Sequence, residues 1–231
     1  MTGALVSVIT PVYNGERFIR DALESLLRQD YEPFEAIVID DGSTDATPQI
    51  AQSFESVRYV RQEHSGQAVA RNTGLSLATG EYVAFLDADD VLPPHKLSTQ
   101  IGFLVAHPEV ACVLGRQELV LDGIEPPDWL SRDPIYGDLD GIPLLSAVIR
   151  TDVIRGVGGF DSTYRHAEDR DLFVRLRERG VATAVVPEVV LYRRYHGGNL
   201  TGSHSGKHPL LRSLKAKIDR SRASQASEGR T

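Results

Sequence analysis

Short apolar segments alternate with amphipathic segments through the first 90 residues, and this order limits the possible folds more than any other feature. The strands are predicted at residues 5–10 (LVSVIT), 35–39 (EAIVI), 57–61 and 82–86 (YVAFL). The intervening helices are predicted at residues 15–29, 45–54 and 67–77, with Asn14 as the N-cap of the first. A β-α-β order of this kind predicts a mostly parallel sheet with helices on both faces.

Polar residues follow three of these strands at the point where each one ends. Residues 11–14 (PVYN) follow the first strand, residues 40–41 (DD) end the second, and residues 87–90 (DADD) follow the fourth. Ligands of parallel sheets bind beyond the carboxyl ends of the strands. Three carboxylates within four residues repel one another unless a cation relieves them, and Mg²⁺ or Mn²⁺ prefers such oxygens. A solvated acidic turn is the alternative interpretation of the DADD segment.

The second half of the chain is less regular. Helices are predicted at residues 95–107 and 169–179, a long loop at 125–141 around Trp129, and strands at 110–114, 118–121, 147–150, 182–186 and 189–192. The acidic segment at residues 168–171 (EDRD) either complements a helix dipole or contains a general base. His196, after the last strand, is either an exposed loop residue or a metal ligand.

The formal charge is unevenly divided along the chain. The net charge of the whole chain is −7, but residues 203–231 contain seven Lys/Arg and two Asp/Glu, which leaves −12 for residues 1–202. An acidic body argues against nucleic acid as a partner. Such an acidic body can bind an anion only where a local positive charge, such as a bound metal ion, offsets its own negative charge.

The motifs taken together resemble the family-2 glycosyltransferases of the GT-A fold. The resemblance rests on residues 6–47 (VSVITPVYNGERFIRDALESLLRQDYEPFEAIVIDDGSTDAT), 65–97 (SGQAVARNTGLSLATGEYVAFLDADDVLPPHKL) and 156–176 (GVGGFDSTYRHAEDRDLFVRL). It extends over about residues 5–201 and is weak from 116 to 141. It implies an α/β protein in which a Rossmann-like nucleotide-binding half, with a mostly parallel mixed sheet flanked by helices, merges with an acceptor-binding half.

The resemblance also implies roles for single residues. The nucleotide sugar is expected to contact Pro11, Tyr13, Asp41, Gly66, Arg71, Asp87 and Ala88, with Asp41 at the base. In the DXD motif, Asp89 is the expected direct metal ligand and Asp87 lies nearer the ribose. Asp169 matches the catalytic base of the ED motif, and His196 resembles a late metal or phosphate contact. The implied cofactor is a divalent cation, Mg²⁺ or Mn²⁺.

The implied reaction is a metal-dependent, inverting sugar transfer of the hexosyltransferase type, in which Asp169 deprotonates the acceptor hydroxyl. A UDP-sugar is the first donor candidate, with GDP- and dTDP-sugars as alternatives. The acceptor is a saccharide, a lipid-linked molecule or a small molecule, and we expect it near Trp129 and residues 136–145.

Other classes of protein fit less well. A haloacid-dehalogenase-like phosphatase would use Asp87 as its nucleophile, but that motif normally opens its domain, and here about 80 residues precede it. A nucleotidyltransferase would need a glycine-rich basic loop after the first strand, and a dinucleotide oxidoreductase would need GxGxxG there. A catalytically inactive relative that binds nucleotide sugars or carbohydrates stays open.

Residues 1–202 are expected to form one catalytic domain, with the donor half at about 1–97 and the acceptor half at about 98–202. No apolar run reaches the roughly 20 residues of a bilayer span, no signal peptide is recognised, and Cys112 is the only cysteine. These features favour a cytoplasmic protein. The basic tail, residues 203–231, is expected to be helical or disordered, and its apolar residues at helical spacing would allow contact with the inner face of the membrane.

Overall fold

The structure, a computed structural model, describes residues 3–123, 135–136, 144–164 and 167–197. Its strands are β1 (Val6–Val12), β2 (Phe34–Asp40), β3 (Val57–Arg61), β4 (Tyr82–Phe85), β5 (Cys112–Leu121), β6 (Ile135–Tyr136), β7 (Val148–Arg150) and β8 (Thr183–Tyr195). Its α-helices are α1 (Ile19–Leu27), α2 (Thr47–Gln52), α3 (Gln67–Leu77), α4 (Lys96–Ala106), α5 (Thr151–Gly156) and α6 (Glu168–Glu178). The predictions for Trp129 and for the tail lie outside the described residues.

The strands form one mixed sheet in the order β3-β2-β1-β4-β7-β5-β6, and β8 pairs with β5. β1 to β4 are mutually parallel, and β7 runs antiparallel to both β4 and β5. The sequence-based prediction of a mostly parallel mixed sheet flanked by helices is therefore confirmed. Among the described residues, no helix is long and apolar enough to span a bilayer.

The helices cover both faces of the sheet because side chains alternate along the buried strands. Val12 and Val38 face α1 and α2, where they pack with Ile19, Leu23 and Ala51. Ile9, on the opposite face, lies under α3, where Gly74 removes the side chain that would otherwise separate helix and strand.

Two details of the first βα unit differ from prediction. β1 continues through Pro11, which pairs with Ile39 of β2, so the proline does not end the strand. Helix α1 begins at Ile19 with Phe18 as its N-cap, and the prediction of Asn14 as the cap was wrong. Asn14 instead has a φ of 51° and accepts a hydrogen bond from the Thr44 backbone N–H at 2.8 Å. Its side chain therefore links the loop after β1 to the loop after β2 and does not cap a helix.

Candidate active site

The carboxyl ends of β1, β2 and β4 meet at one edge of the sheet. Residue Val12 of β1 pairs with Asp40 of β2, and Ile9 of β1 pairs with Phe85 of β4. The loops that follow β1 and β2 are also bonded to each other, because the Asn14 N–H donates to Ser43 Oγ at 2.9 Å. The three polar segments singled out in the sequence therefore lie side by side.

Three carboxylates after β4 form a compact cluster. Oxygen atoms of Asp87, Asp89 and Asp90 all lie within 4.8 Å of one another. Burial, and then the charge of the neighbouring carboxylates, raises the pKa of Asp89 and raises that of Asp90 well above its ordinary range. Closely spaced, partly desolvated oxygens of this kind fit a hard divalent cation.

The end of β8 brings a histidine to this cluster. His196 Nε2 lies 3.2 Å from Asp89 Oδ2, across 107 positions of the chain. Its ring packs on Phe18 at a centroid distance of 4.4 Å. The Arg194 backbone N–H donates to Asp90 Oδ1 at 2.8 Å, which fixes the strand end beside the carboxylates. The imidazole thus borders the cluster at Asp89, whereas the compact group of oxygens itself consists of the three aspartates.

Asp41 lies just beyond β2, and its carboxylate is buried within its own chain. Oδ1 accepts hydrogen bonds from Gln62 Nε2 at 2.7 Å and from the Ser65 N–H at 2.9 Å. Oδ2 accepts from the Gly66 N–H at 2.8 Å and lies 2.9 Å from His64 Nδ1. Residues 62–66 therefore form a turn around this carboxylate, and Gly66 adopts the φ of +93° that the turn needs.

Two aromatic rings stand next to Asp41. Tyr13 is 48% exposed, and its ring stacks on that of His64 with centroids 4.1 Å apart. Pro11 is buried within β1, two residues before Tyr13, and Ala88 is half-buried in the turn of the carboxylate cluster. Tyr13 and Asp41, the expected nucleotide contacts of the first loop and of the second strand, thus both contact His64.

Arg71, on α3, lies beneath the carboxylates and is 4% exposed. Its Nη2 donates to Asp87 Oδ1 at 2.9 Å, and its Nη1 donates to Glu168 Oε1 at 2.6 Å. Burial alone would lower the pKa of this guanidinium, but the surrounding carboxylates outweigh burial and raise it. Gln67 Nε2 is a second donor to Asp87 Oδ1, at 3.2 Å. Asp87 is therefore fixed from α3.

The half-buried Asp169 lies in the first turn of α6, next to the buried Glu168. Ala167, which precedes the helix, has a φ of +68°, a left-handed conformation that costs a non-glycine residue energy. Asp169 contributes to the raised pKa of Arg71, so its charge is close to the same guanidinium. The expected base thus lies in the same helical turn as Glu168, which bonds to the arginine that also bonds to Asp87.

Four residues of this site were not predicted from the sequence: His64, Gln67, Phe18 and Glu168. The sequence places Glu168 in an acidic segment and in the ED motif but gives it no role of its own. Its burial against Arg71 depends on the folding of segments that lie 97 positions apart in the chain. The one signal in the sequence that could have identified Glu168 is its position directly before the suspected base, Asp169.

Comparisons with known proteins agree with this arrangement. Residues 7–142 match the family model described as glycosyl transferase family 2. An uncharacterized glycosyltransferase of Rickettsia typhi is 31% identical over 215 residues, covering 86% of this chain and 66% of the relative. The putative teichuronic acid biosynthesis glycosyltransferase TuaG of Bacillus subtilis is 39% identical over 140 residues, which is 56% of each chain. The chain thus spans about two thirds or less of these relatives.

Solved structures show the same fold. The crystal structure of S. aureus TarS 1–349 in complex with UDP-GlcNAc superimposes with a TM-score of 0.72 at 26% identity, over 87% of this chain and 61% of that one. The mannosyltransferase PcManGT of Pyrobaculum calidifontis, in complex with GDP-Man and Mn²⁺, gives a TM-score of 0.67 at 23% identity, over 87% and 60%. The latter likeness concerns the fold alone. With the family model covering more than half of its length, the chain belongs to glycosyl transferase family 2 and has the GT-A fold.

Proposed function

We propose that the protein transfers a sugar from a nucleotide-sugar donor to an acceptor hydroxyl with inversion, in a reaction that depends on a divalent cation. The observation that carries the proposal is the cluster of Asp87, Asp89 and Asp90 oxygens within 4.8 Å of one another at the carboxyl end of β4. Residues 1–202 would form the catalytic domain, with the donor held by about residues 1–97 and the acceptor by about residues 98–202.

Asp89 and His196 are the proposed protein ligands of Mg²⁺ or Mn²⁺. Bound there, the cation would neutralise charge that develops on the pyrophosphate leaving group. Asp87 is held by Arg71 and Gln67 and so presents its remaining oxygen in a fixed direction. This arrangement suits a contact to the ribose or to water around the cation.

The nucleoside is proposed to lie over the surface formed by Tyr13, Asp41 and Gly66, with Pro11 and Ala88 at its borders. Tyr13 is exposed enough to stack on a base. A UDP-sugar is the first candidate because the TarS structure with 26% identity contains UDP-GlcNAc. GDP- and dTDP-sugars are the alternatives.

Asp169 is the proposed general base. It accepts the proton of the acceptor hydroxyl while that oxygen forms a bond to the anomeric carbon from the face opposite the leaving group. The bond between the anomeric carbon and the phosphate oxygen breaks, and its electron pair leaves with the nucleoside diphosphate. One displacement inverts the configuration, and no covalent enzyme intermediate is formed.

The alternatives have less support. Membership of glycosyl transferase family 2 argues against a phosphatase with Asp87 as nucleophile. An inactive relative that only binds donors is a second candidate, and it predicts nucleotide binding without turnover. The acceptor class, the cytoplasmic location and the membrane contact of the tail remain predictions from the sequence.

Calorimetric titration of UDP-GlcNAc, GDP-Man and a dTDP-sugar, with and without Mn²⁺, tests the donor site. We expect binding of one donor that needs the metal, is lost in Asp89→Asn and is kept in Asp30→Asn, a control at an exposed position after α1. Asp169→Asn should keep donor binding and lose release of the nucleoside diphosphate. Metal-independent binding, or no binding, would overturn the metal site, and full turnover in Asp169→Asn would remove Asp169 as the base.

A further inference from the structure

A buried ion bridge connects the two parts of the site. Arg71 is 4% exposed and Glu168 is 5% exposed, and Arg71 Nη1 lies 2.6 Å from Glu168 Oε1. The other end of the guanidinium bonds to Asp87 at 2.9 Å. Asp87 follows β4 on the proposed donor side, whereas Glu168 opens α6 on the proposed acceptor side. A rigid, planar guanidinium therefore fixes the distance between the two carboxylates.

The start of α6 contains a feature that needs such support. Ala167 has a φ of +68° immediately before Glu168 and Asp169. A strained residue persists only when the surrounding structure holds it in place. Burial raises the pKa of Glu168, and Arg71 opposes that rise, so the bridge compensates part of the cost of burying this carboxylate. The direction in which Asp169 leaves the helix depends on this first turn.

The bridge is not required simply to attach α6 to the rest of the protein. Asn72, on α3, bonds both to the Phe160 N–H at 2.9 Å and to the Phe160 carbonyl at 2.7 Å. Arg175, two turns into α6, donates to the carbonyls of Val157 and Gly159 at 2.7 Å each. These contacts hold the preceding turn and the middle of the helix. The Arg71–Glu168 pair acts at the end of the helix that carries Asp169.

We propose that Glu168 is a positioning residue, which through Arg71 aligns the Asp169 carboxylate with the donor that Asp87 contacts. The inference rests on the proposed function. It adds that a donor that contacts Asp87 restrains the start of α6 further through Arg71, so the base is held most firmly when the donor is bound. Glu168 itself touches no reacting atom in this account.

Hydrogen exchange with UDP and Mn²⁺ as the probe tests this coupling without an acceptor. In the wild type, UDP with Mn²⁺ should slow exchange of the hydrogen-bonded amides in the first half of α6, from Asp171 onward, by about tenfold, which corresponds to a modest coupling between two sites. Glu168→Ala should abolish the slowing, and Glu168→Gln should reduce it, because a neutral amide makes a weaker bond to arginine. The matched controls are Glu81→Ala and Glu81→Gln, since Glu81 forms a 3.2 Å bridge to Arg150 and its side chain is 56% exposed.

Turnover supplies the second measurement. With UDP-GlcNAc, Mn²⁺ and water as the acceptor of the sugar, kcat for UDP release by donor hydrolysis should fall by about 10²-fold in Glu168→Ala, the loss expected from a small misplacement of a catalytic group. The dissociation constant of UDP should change by less than about threefold, since its contacts remain, and binding stoichiometry would report any unfolded fraction.

Two kinds of failure are distinguishable. If wild-type protein binds no nucleotide, the proposed function fails and the inference fails with it. If wild-type protein binds UDP but Glu168→Ala matches Glu81→Ala in both protection of α6 and kcat, the proposed function stands and the positioning role of Glu168 is refuted. A parallel loss of UDP affinity and kcat would also refute it, because the bridge would then serve only the donor site.

Discussion

Replacing Lys96 by Met should change how the stability of the protein depends on pH. Lys96 opens α4 with its side chain fully buried, and its Nζ donates to Gln100 Oε1 at 2.9 Å and to the Leu145 carbonyl at 3.2 Å. Neither partner carries a charge. Burial therefore lowers the pKa of Lys96 to about 7.

The direction of the effect follows from proton linkage. Between pH about 7 and about 10 the unfolded chain holds the lysine proton and the folded protein does not, so the free energy of unfolding rises with pH. Below about pH 7 both states are protonated, and the cost of burying the charge is fully present. With a pKa of about 7 in the folded state and about 10.4 in the unfolded state, the rise from pH 7 to pH 9 is on the order of 2 kcal/mol.

Urea unfolding of the wild type and Lys96→Met at pH 7 and pH 9 measures this difference. The variant lacks the titrating group. From pH 7 to pH 9 the free energy of unfolding of the wild type should therefore rise relative to that of the variant by on the order of 2 kcal/mol. Near pH 7 the two should be similar in stability, because Met removes a buried charge but leaves two acceptors without a donor. Arg28→Met, at an exposed arginine beside Glu24, is the control and should show no such gain. Parallel pH profiles of the wild type and Lys96→Met would refute the argument.

Three substitutions test the packing around the site. Gly74→Ala should destabilise the protein by about 1–3 kcal/mol in thermal or urea unfolding, because an added Cβ would lie 2.3 Å from Ile9 Cγ2. Gly102→Ala, where nothing lies within 4 Å of the added Cβ, should stabilise the protein by about 0.5–1 kcal/mol. A Gly74→Ala variant more stable than Gly102→Ala would contradict this description of the packing. Asn72→Ala should cost about 1–3 kcal/mol, because both backbone groups of Phe160 lose their partner. An unchanged stability in that variant would show that water replaces the amide without loss.

The first half of the fold could be predicted from the sequence because each element carries its own local signal. Helix α3 has the predicted bounds, residues 67–77, and β4 differs by one residue. The apolar runs there are short and bounded by turn residues, which makes strand and helix periodicities easy to distinguish. The family and the fold could also be predicted, because the motifs occur in the right order along the chain. The comparisons confirm both predictions.

The second half was harder because tertiary contacts override local signals there. Two strands were expected on either side of Gly115, but β5 runs through it from Cys112 to Leu121. A Cβ at Gly115 would lie 2.5 Å from Val190 Cγ2, so the glycine allows close approach of β8 rather than ending a strand. Likewise β8 continues through Pro187, where the register between Leu114 and Arg116 shifts. Bulges of this kind accommodate a proline that local reasoning takes as a break.

The site was predictable where the chemistry is local and not where it is assembled. Asp87 and Asp89 could be recognised because they follow an apolar strand. The pairing of Arg71 with Glu168 joins residues 97 positions apart, and one sequence without related sequences carries no record of that contact. His64 was missed for the same reason, because its contacts with Tyr13 and Asp41 arise only when two loops meet.

Under the proposed function, the surroundings of Asp41 also determine how a nucleobase would be recognised. The two oxygens of a carboxylate offer about four lone-pair positions. Three hydrogen bonds, from Gln62, Ser65 and Gly66, already reach the Asp41 carboxylate, and His64 Nδ1 lies 2.9 Å from Oδ2 while bonding to the Asp41 carbonyl. A base N–H that bonds to Asp41 would compete with these nitrogen atoms, and where it replaces one of them its contribution to affinity is the difference between two similar bonds. Discrimination between bases then depends on which internal group is released and whether it finds a new partner on the ligand. Asp41 would therefore select nucleotides through an exchange of partners, much as a solute exchanges hydrogen bonds with water.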